Sequence, residues 1–188
     1  MAAEKTILVF GDSLSAGYGL ARNESWPALL GQQLREKGSA YQVANASISG
    51  ETTAGGRSRF DAALKQFRPQ IVVLALGAND GLRGLPVKQM QDNLATMVRS
   101  ARQAGASVLI AGMKLPPNYG PAYTQDFEAA FVAVAKTEKA TLLPFLLEPI
   151  AAERSYFQPD GLHPVAAAQP RILAHVMSRL QTLLGNKS

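Results

Sequence analysis

Ser13, Asp160 and His163 have the side-chain types of a nucleophile, an orienting carboxylate and a general base. Acyl transfer through a serine needs these three, together with hydrogen-bond donors for the oxyanion of the tetrahedral intermediate. Ser13 stands in Gly11-Asp12-Ser13-Leu14, directly after the apolar run 6–10. Glycine there permits a sharp turn at a strand end, the edge of a parallel α/β sheet where ligands bind. Of the 2 histidines, His175 falls on a helical segment away from its apolar stripe and reads as a solvated surface residue. His163 stands in Asp160-Gly161-Leu162-His163-Pro164. Three residues of separation across a glycine turn let the Asp160 carboxylate reach Nδ1 and leave Nε2 for a serine. Taken alone, the same Asp-x-x-His spacing also fits a helix-capping aspartate beside an incidental histidine.

Two other loops hold candidate oxyanion donors. Gly50, in Ser47-Ile48-Ser49-Gly50-Glu51-Thr52, could bring its N–H close to a substrate oxygen, or could be a helix-entry turn glycine. Asn79, in Leu76-Gly77-Ala78-Asn79-Asp80, could offer its side-chain amide, or could stabilise a turn. Each signal is modest. Their value lies in recurring at the ends of successive strands.

The elements that must position them alternate along the chain. Apolar runs of strand length occupy 6–10, 42–46, 71–76, 108–112 and 142–147, several rich in Val, Ile and Leu on both faces. Between them the pattern predicts helices from 26 to 37 with Ser25 as N-cap, and over 57–67, 87–104, 124–138 and 165–184. Strands separated by helices make a parallel sheet. The irregular stretches 47–56, 77–86, 113–121 and 155–164 fall after strands, so the loops gather at one edge of that sheet. With 188 residues the chain is expected to form one domain, residues 1–188, and no repeat or linker divides it.

Hydrophobic residues make up 47% and charged residues 18%, an ordinary globular balance. The net charge of +5 is dispersed rather than striped, which argues against a nucleic-acid partner. With 0 cysteines, thiolate catalysis and Cys-ligated zinc are excluded. No run approaches the roughly 20 apolar residues of a membrane span, so no stable membrane insertion is expected. Met1-Ala2-Ala3-Glu4-Lys5 is not a signal peptide. A periplasmic or secreted mature form, or a cytoplasmic protein if Met1 is the native start, is the corresponding expectation.

Gly11-Asp12-Ser13-Leu14-Ser15, Gly50, Gly77-Ala78-Asn79-Asp80 and Asp160-x-x-His163 resemble, in order, the four blocks of the SGNH (GDSL) hydrolase superfamily. Asn45-Ala46-Ser47-Ile48-Ser49-Gly50, Asn79-Asp80-Gly81-Leu82-Arg83-Gly84 and Leu115-Pro116-Pro117-Asn118-Tyr119-Gly120 are similar to its thioesterase, arylesterase and lysophospholipase members. The loop departs from them at Pro117, where alanine is more usual. The resemblance implies a flavodoxin-like three-layer α/β/α sandwich with five parallel strands ordered 2-1-3-4-5. It further implies Ser13, Asp160 and His163 as catalytic residues, with Ser13, Gly50 and Asn79 forming the oxyanion hole. Leu82, Leu115, Pro116 and Tyr119 become candidate acyl-chain contacts, with neither metal nor cofactor. The expected partner is a small ester or acyl thioester, and the expected state a monomer. The rival readings are a carbohydrate acetylesterase of the same superfamily and a non-catalytic phosphate- or nucleotide-binding flavodoxin-like domain.

Overall fold

A computed structural model describes residues 4–185. Met1, Ala2 and Ala3, on which the expectation about a leader rests, lie outside the described residues, as do 186–188. Five strands, β1 (Lys5–Gly11), β2 (Tyr41–Asn45), β3 (Ile71–Ala75), β4 (Ser107–Ala111) and β5 (Thr141–Leu143), form one sheet. Their order is β2-β1-β3-β4-β5 and every pairing is parallel. Among the described residues seven helices accompany them: α1 (Ser13–Ala16), α2 (Trp26–Glu36), α3 (Thr53–Phe67), α4 (Ala78–Leu82), α5 (Val87–Gln103), α6 (Pro121–Thr137) and α7 (Gln169–Leu184).

The strands read as continuous apolar runs because both sheet faces are covered. Leu8, Phe10, Val72, Leu74, Val108 and Ile110 point to one face, where they meet Phe60, Leu94, Met97, Phe127 and Phe131 of α3, α5 and α6. The alternate residues Ile7, Val9, Ile71, Val73 and Leu109 meet Trp26 and Leu30 of α2 and Ile172, Val176 and Leu180 of α7. Buried Gln169 at the start of α7 accepts a 2.9 Å hydrogen bond from the Trp26 N–H, tying the two helices of that layer together.

The boundaries differ from the sequence pattern for identifiable reasons. α3 begins at Thr53 rather than 57, because the Thr52 side chain accepts from the Gly55 N–H and carries the helix through two glycines of poor propensity. α6 begins at Pro121 rather than 124, proline being well suited to a first helical position. β5 ends at Leu143 because Pro144 cannot donate to the ladder. Residues 166–168 form a 3₁₀ turn, so α7 starts at Gln169 rather than 165. α1 and α4 lie in segments that read as loops. Both are single turns at strand ends, too short to show a helical period.

Gly112 shows how tightly the β4–β5 edge closes. Its N–H donates to the Leu143 carbonyl at 2.8 Å, and its own carbonyl accepts from the Leu146 N–H at 2.9 Å. A Cβ at this position would collide with the Pro144 carbonyl oxygen, a backbone atom that cannot rotate away. Gly112→Ala should therefore lower unfolding free energy by about 1–3 kcal/mol, the usual cost of overpacking. The urea midpoint of the purified variant checks it, and an unchanged midpoint would show the edge to be loose.

Candidate active site

The first site element is the turn from β1 into α1. Asp12 is its N-cap and its Oδ1 accepts from the Leu14 N–H at 3.0 Å, which presents Ser13 as the first helical residue. A first-turn N–H has no intrahelical acceptor and remains available to a ligand. The second element is the loop from the 3₁₀ turn Arg154–Tyr156 to Pro164. It folds back on itself, with the Gln158 N–H donating to the His163 carbonyl at 2.7 Å and the Val165 N–H to the Tyr156 carbonyl at 2.9 Å.

These elements bring Ser13, His163 and Asp160 into one hydrogen-bonded chain. Ser13 Oγ is 2.9 Å from His163 Nε2, and His163 Nδ1 is 2.6 Å from Asp160 Oδ2. Asp160 uses its other oxygen, Oδ1, to accept from the Leu162 N–H at 2.9 Å and the His163 N–H at 3.0 Å. The three-residue spacing thus anchors the carboxylate to its own turn while leaving one oxygen for the imidazole. Backbone donation from His163, then the bond to its ring and the Leu162 N–H, hold the Asp160 carboxyl down at about 2. It is ionised at neutral pH and can only accept. Nδ1 therefore carries a proton, and Nε2 is the ring nitrogen that faces the Ser13 hydroxyl.

Residues that the sequence pattern did not single out brace this loop. The Arg154 guanidinium donates to three successive carbonyls, those of Phe157, Gln158 and Pro159, at 3.1, 2.9 and 3.0 Å. The Gln158 side-chain N–H₂ donates to the Pro164 carbonyl at 3.0 Å and to the Tyr18 carbonyl at 2.8 Å. Through Tyr18, whose N–H donates to the Ser13 carbonyl at 3.3 Å, it links the loop of the base to the turn of the serine. No local motif announces such a role, since the partners are 140 residues apart.

Gly50 and Asn79 are carried by the segments that follow β2 and β3. Gly50 has φ 80, a conformation that favours glycine, and its N–H has no protein partner among the described residues. Asn79, the second residue of α4, lines the cavity beside Ser13, with one of its Nδ2 hydrogens donated to the Glu51 carbonyl at 3.0 Å. Arg83 donates to the Gly50 carbonyl at 2.9 Å. Buried Asp80 accepts from the Thr53 N–H at 2.8 Å and the Thr53 hydroxyl at 2.6 Å, so α4 holds the start of α3 and the Gly50 loop before it.

A cavity of about 450 Å³ opens beside Ser13, with walls including Leu82, Leu115, Pro116, Phe145, Leu147 and Phe157. Tyr119 and Gly50 are not in its walls. Tyr119 instead donates its hydroxyl to the Leu82 carbonyl at 2.8 Å and braces the wall from behind. Pro117 lines the cavity and opens a 3₁₀ turn ending at Tyr119. His175 departs from the expectation of a solvated surface histidine. It is half-buried, and its Nε2 donates to the carbonyl of Phe145 at 2.9 Å, because α7 packs beneath the segment after β5. Among the described residues no group of three His, Cys, Asp or Glu side chains could hold a metal ion. No helix among them is long and apolar enough to cross a membrane.

Asp12 contrasts with Asp160. Burial pushes its carboxyl up to about 6, against the Leu14 N–H and the nearby His163, which act in the opposite direction. A carboxyl raised in this way stabilises the fold fully below its ordinary value of 3.8, and that contribution is lost as pH rises through about 6. Asp12→Asn keeps the Oδ1 acceptor and removes the ionisation. Relative to wild type it should gain roughly 3 kcal/mol of stability between about pH 4 and pH 8. Urea midpoints across that range check this, and a pH-independent difference between the two proteins would refute it.

Comparison with known proteins completes the picture. Residues 9–169 match the GDSL-like Lipase/Acylhydrolase family. The chain is 50% identical over 183 residues to the esterase TesA of Pseudomonas aeruginosa, covering 97% of this chain and 91% of that protein. It is 41% identical over 187 residues to thioesterase 1/protease 1/lysophospholipase L1 of Escherichia coli K12, covering 100% of this chain and 88% of that protein. A crystal structure of TesA superposes with a TM-score of 0.92 at 49% identity, covering 95% of this chain and 99% of that one. Strand order, strand-end loops and sequence similarity all lead to one assignment: the chain belongs to the GDSL-like lipase/acylhydrolase family, and it is an esterase.

Proposed function

We propose that the chain, working as one domain over 1–188, hydrolyses carboxylic esters and thioesters through an acyl-enzyme on Ser13. The observation that carries this reading is the relay from Ser13 Oγ to His163 Nε2 at 2.9 Å and from Nδ1 to Asp160 at 2.6 Å. His163 takes the hydroxyl proton as Ser13 attacks, and the imidazolium that forms is held by the ionised Asp160. The tetrahedral oxyanion is received by the Ser13 N–H, the Gly50 N–H and the Asn79 side chain. His163 then gives its proton to the leaving group, and water hydrolyses the acyl-enzyme by the same steps in reverse roles.

The acyl chain enters the cavity bounded by Leu82, Leu115 and Pro116, with Tyr119 supporting the wall. Each methylene buried there contributes about 0.8 kcal/mol, so affinity rises with chain length until the cavity is full. Fatty acyl thioesters, aryl esters and lysophospholipids fit such a wall. A sugar acetate, the substrate class of a carbohydrate acetylesterase, needs polar partners that these side chains do not offer. A phosphate-binding module would have no use for an imidazole held against Ser13. A periplasmic site of action fits substrates of this kind.

Ser13→Ala should lower kcat by at least about 10³-fold, since a triad acts as a unit. It should also abolish labelling by a fluorophosphonate probe, and wild-type turnover in this variant would end the assignment. Asn79→Ala should lower kcat by roughly 10²–10³-fold with little change in KM, the signature of a donor used in the transition state. Steady-state kinetics on p-nitrophenyl butyrate test this, and a loss confined to KM would place Asn79 outside the oxyanion hole.

A further inference from the structure

The acyl cavity reaches from the turn of Ser13, where Asp12 and Leu14 line it, across the segments after β3, β4 and β5 and the loop of His163, and its walls include no residue of β2 or of the segment directly after it. In the order β2-β1-β3-β4-β5 the opposite side of Ser13 is the side of β2. Two of the few exposed large apolar side chains among the described residues stand there: Tyr18, 52% exposed, and Ile48, 49% exposed. The Ile48 N–H donates to the Gly11 carbonyl at 3.0 Å, which sets it beside the strand that delivers Ser13. The turn that carries Tyr18 lies against β2, since Gly17 and Leu20 share a surface groove with Val43 and Asn45.

Tyr18 is held at both ends of its backbone, by Ser13 and by Gln158. Its ring packs against the imidazole of His163, with centroids 4.3 Å apart and planes inclined by 37°. Packing on His163 accounts for only part of this ring, which stays 52% exposed.

The directions at the reacting carbon supply the reason. Of its four bonds in the tetrahedral intermediate, one goes to Ser13 Oγ, one points the oxyanion at Asn79 and Gly50, and one follows the acyl chain into the cavity. The fourth, to the leaving group, is left with the β2 side, past His163 Nε2. We propose that Tyr18 and Ile48 form the leaving-group subsite, a shelf that takes a planar apolar leaving group such as an aromatic alcohol. The inference rests on Ser13 as the nucleophile. When the intermediate collapses, the bond from carbon to the leaving oxygen breaks, the Nε2 proton passes to that oxygen, and the acyl group remains on Ser13. Ring stacking on Tyr18 holds the departing oxygen within reach of Nε2 during this step.

The test compares two esters with the same acyl group, phenyl butyrate and trifluoroethyl butyrate, so that only the leaving group differs. In Tyr18→Ala the ratio of kcat/KM for the phenyl ester to that for the trifluoroethyl ester should fall by about tenfold, the scale of one aromatic contact with its buried area. Tyr18→Phe should keep the ratio, and Tyr18→Leu, which retains bulk against His163 without the ring, should lose most of it. Exposed Ile48→Ser should lower the ratio by about threefold. Deacylation proceeds from one butyryl-enzyme whichever ester formed it, so its rate must be the same for both substrates within each variant. Equal losses on the two esters would make Tyr18 only a support for His163 and would overturn the subsite, as would an unchanged ratio. Fluorophosphonate labelling keeps the premise separate: wild-type protein left unlabelled at Ser13 would defeat the nucleophile, whereas labelling there with an unchanged ratio defeats the shelf alone.

Discussion

The 2.9 Å bond between Ser13 Oγ and His163 Nε2 joins residues 150 positions apart, and the rest of the molecule is arranged so that it can form. Neither residue lies within a strand or a long helix. The serine occupies a single helical turn that a buried strand projects into the site, and the histidine occupies a loop. A loop of this length would ordinarily lose such a contact to conformational entropy. Arg154 prevents that by holding three consecutive carbonyls from one guanidinium, and Gln158 by bridging directly to the serine's side. The order is built before substrate arrives, which is what a relay requires if reorganisation is not to be added to the barrier.

The side of Gly50 and Asn79 follows a different plan. Here the parallel sheet does most of the placing, because β1, β2 and β3 are neighbours and their carboxyl ends emerge together. Side chains from α4 then draw the Gly50 loop in: Asn79 to Glu51, Arg83 to Gly50, Asp80 to Thr53. Buried Asp80 satisfies both its oxygens in this way, the condition under which a buried carboxylate is tolerated. Asp12 and Asp160, both of which feel His163, are driven apart by their surroundings. Burial raises one, and donated hydrogen bonds lower the other. One carboxyl is thereby left to accept from the His163 ring, while the other caps the turn that carries Ser13.

The strand order also partitions substrate. Loops after β3, β4 and β5 enclose an apolar volume, and the β2 side offers only an exposed shelf. Acyl group and leaving group therefore meet environments that can vary independently in one scaffold, the general advantage of placing function on loops carried by a rigid sheet.

Five strands, their parallel pairing and the blocks around Ser13, Gly50, Asn79 and His163 were legible in the amino-acid order. Apolar runs with two buried faces and glycines at strand ends are local signals, written in neighbouring residues. The short helices α1 and α4 were not legible, because one turn has no period to detect, and the helix starts turned on the Thr52 cap before Thr53 and on proline at the first helical position, Pro121. His175 was misread for a related reason. Its angular position on α7 says nothing of the segment after β5 that covers it and accepts its proton at the Phe145 carbonyl. Sequence alone determined which chemical groups were available and at which strand ends they stood. Tertiary structure decided which would touch, because Tyr18, Gln158 and Arg154 act through contacts with distant backbone, and such contacts leave no pattern in the residues that make them.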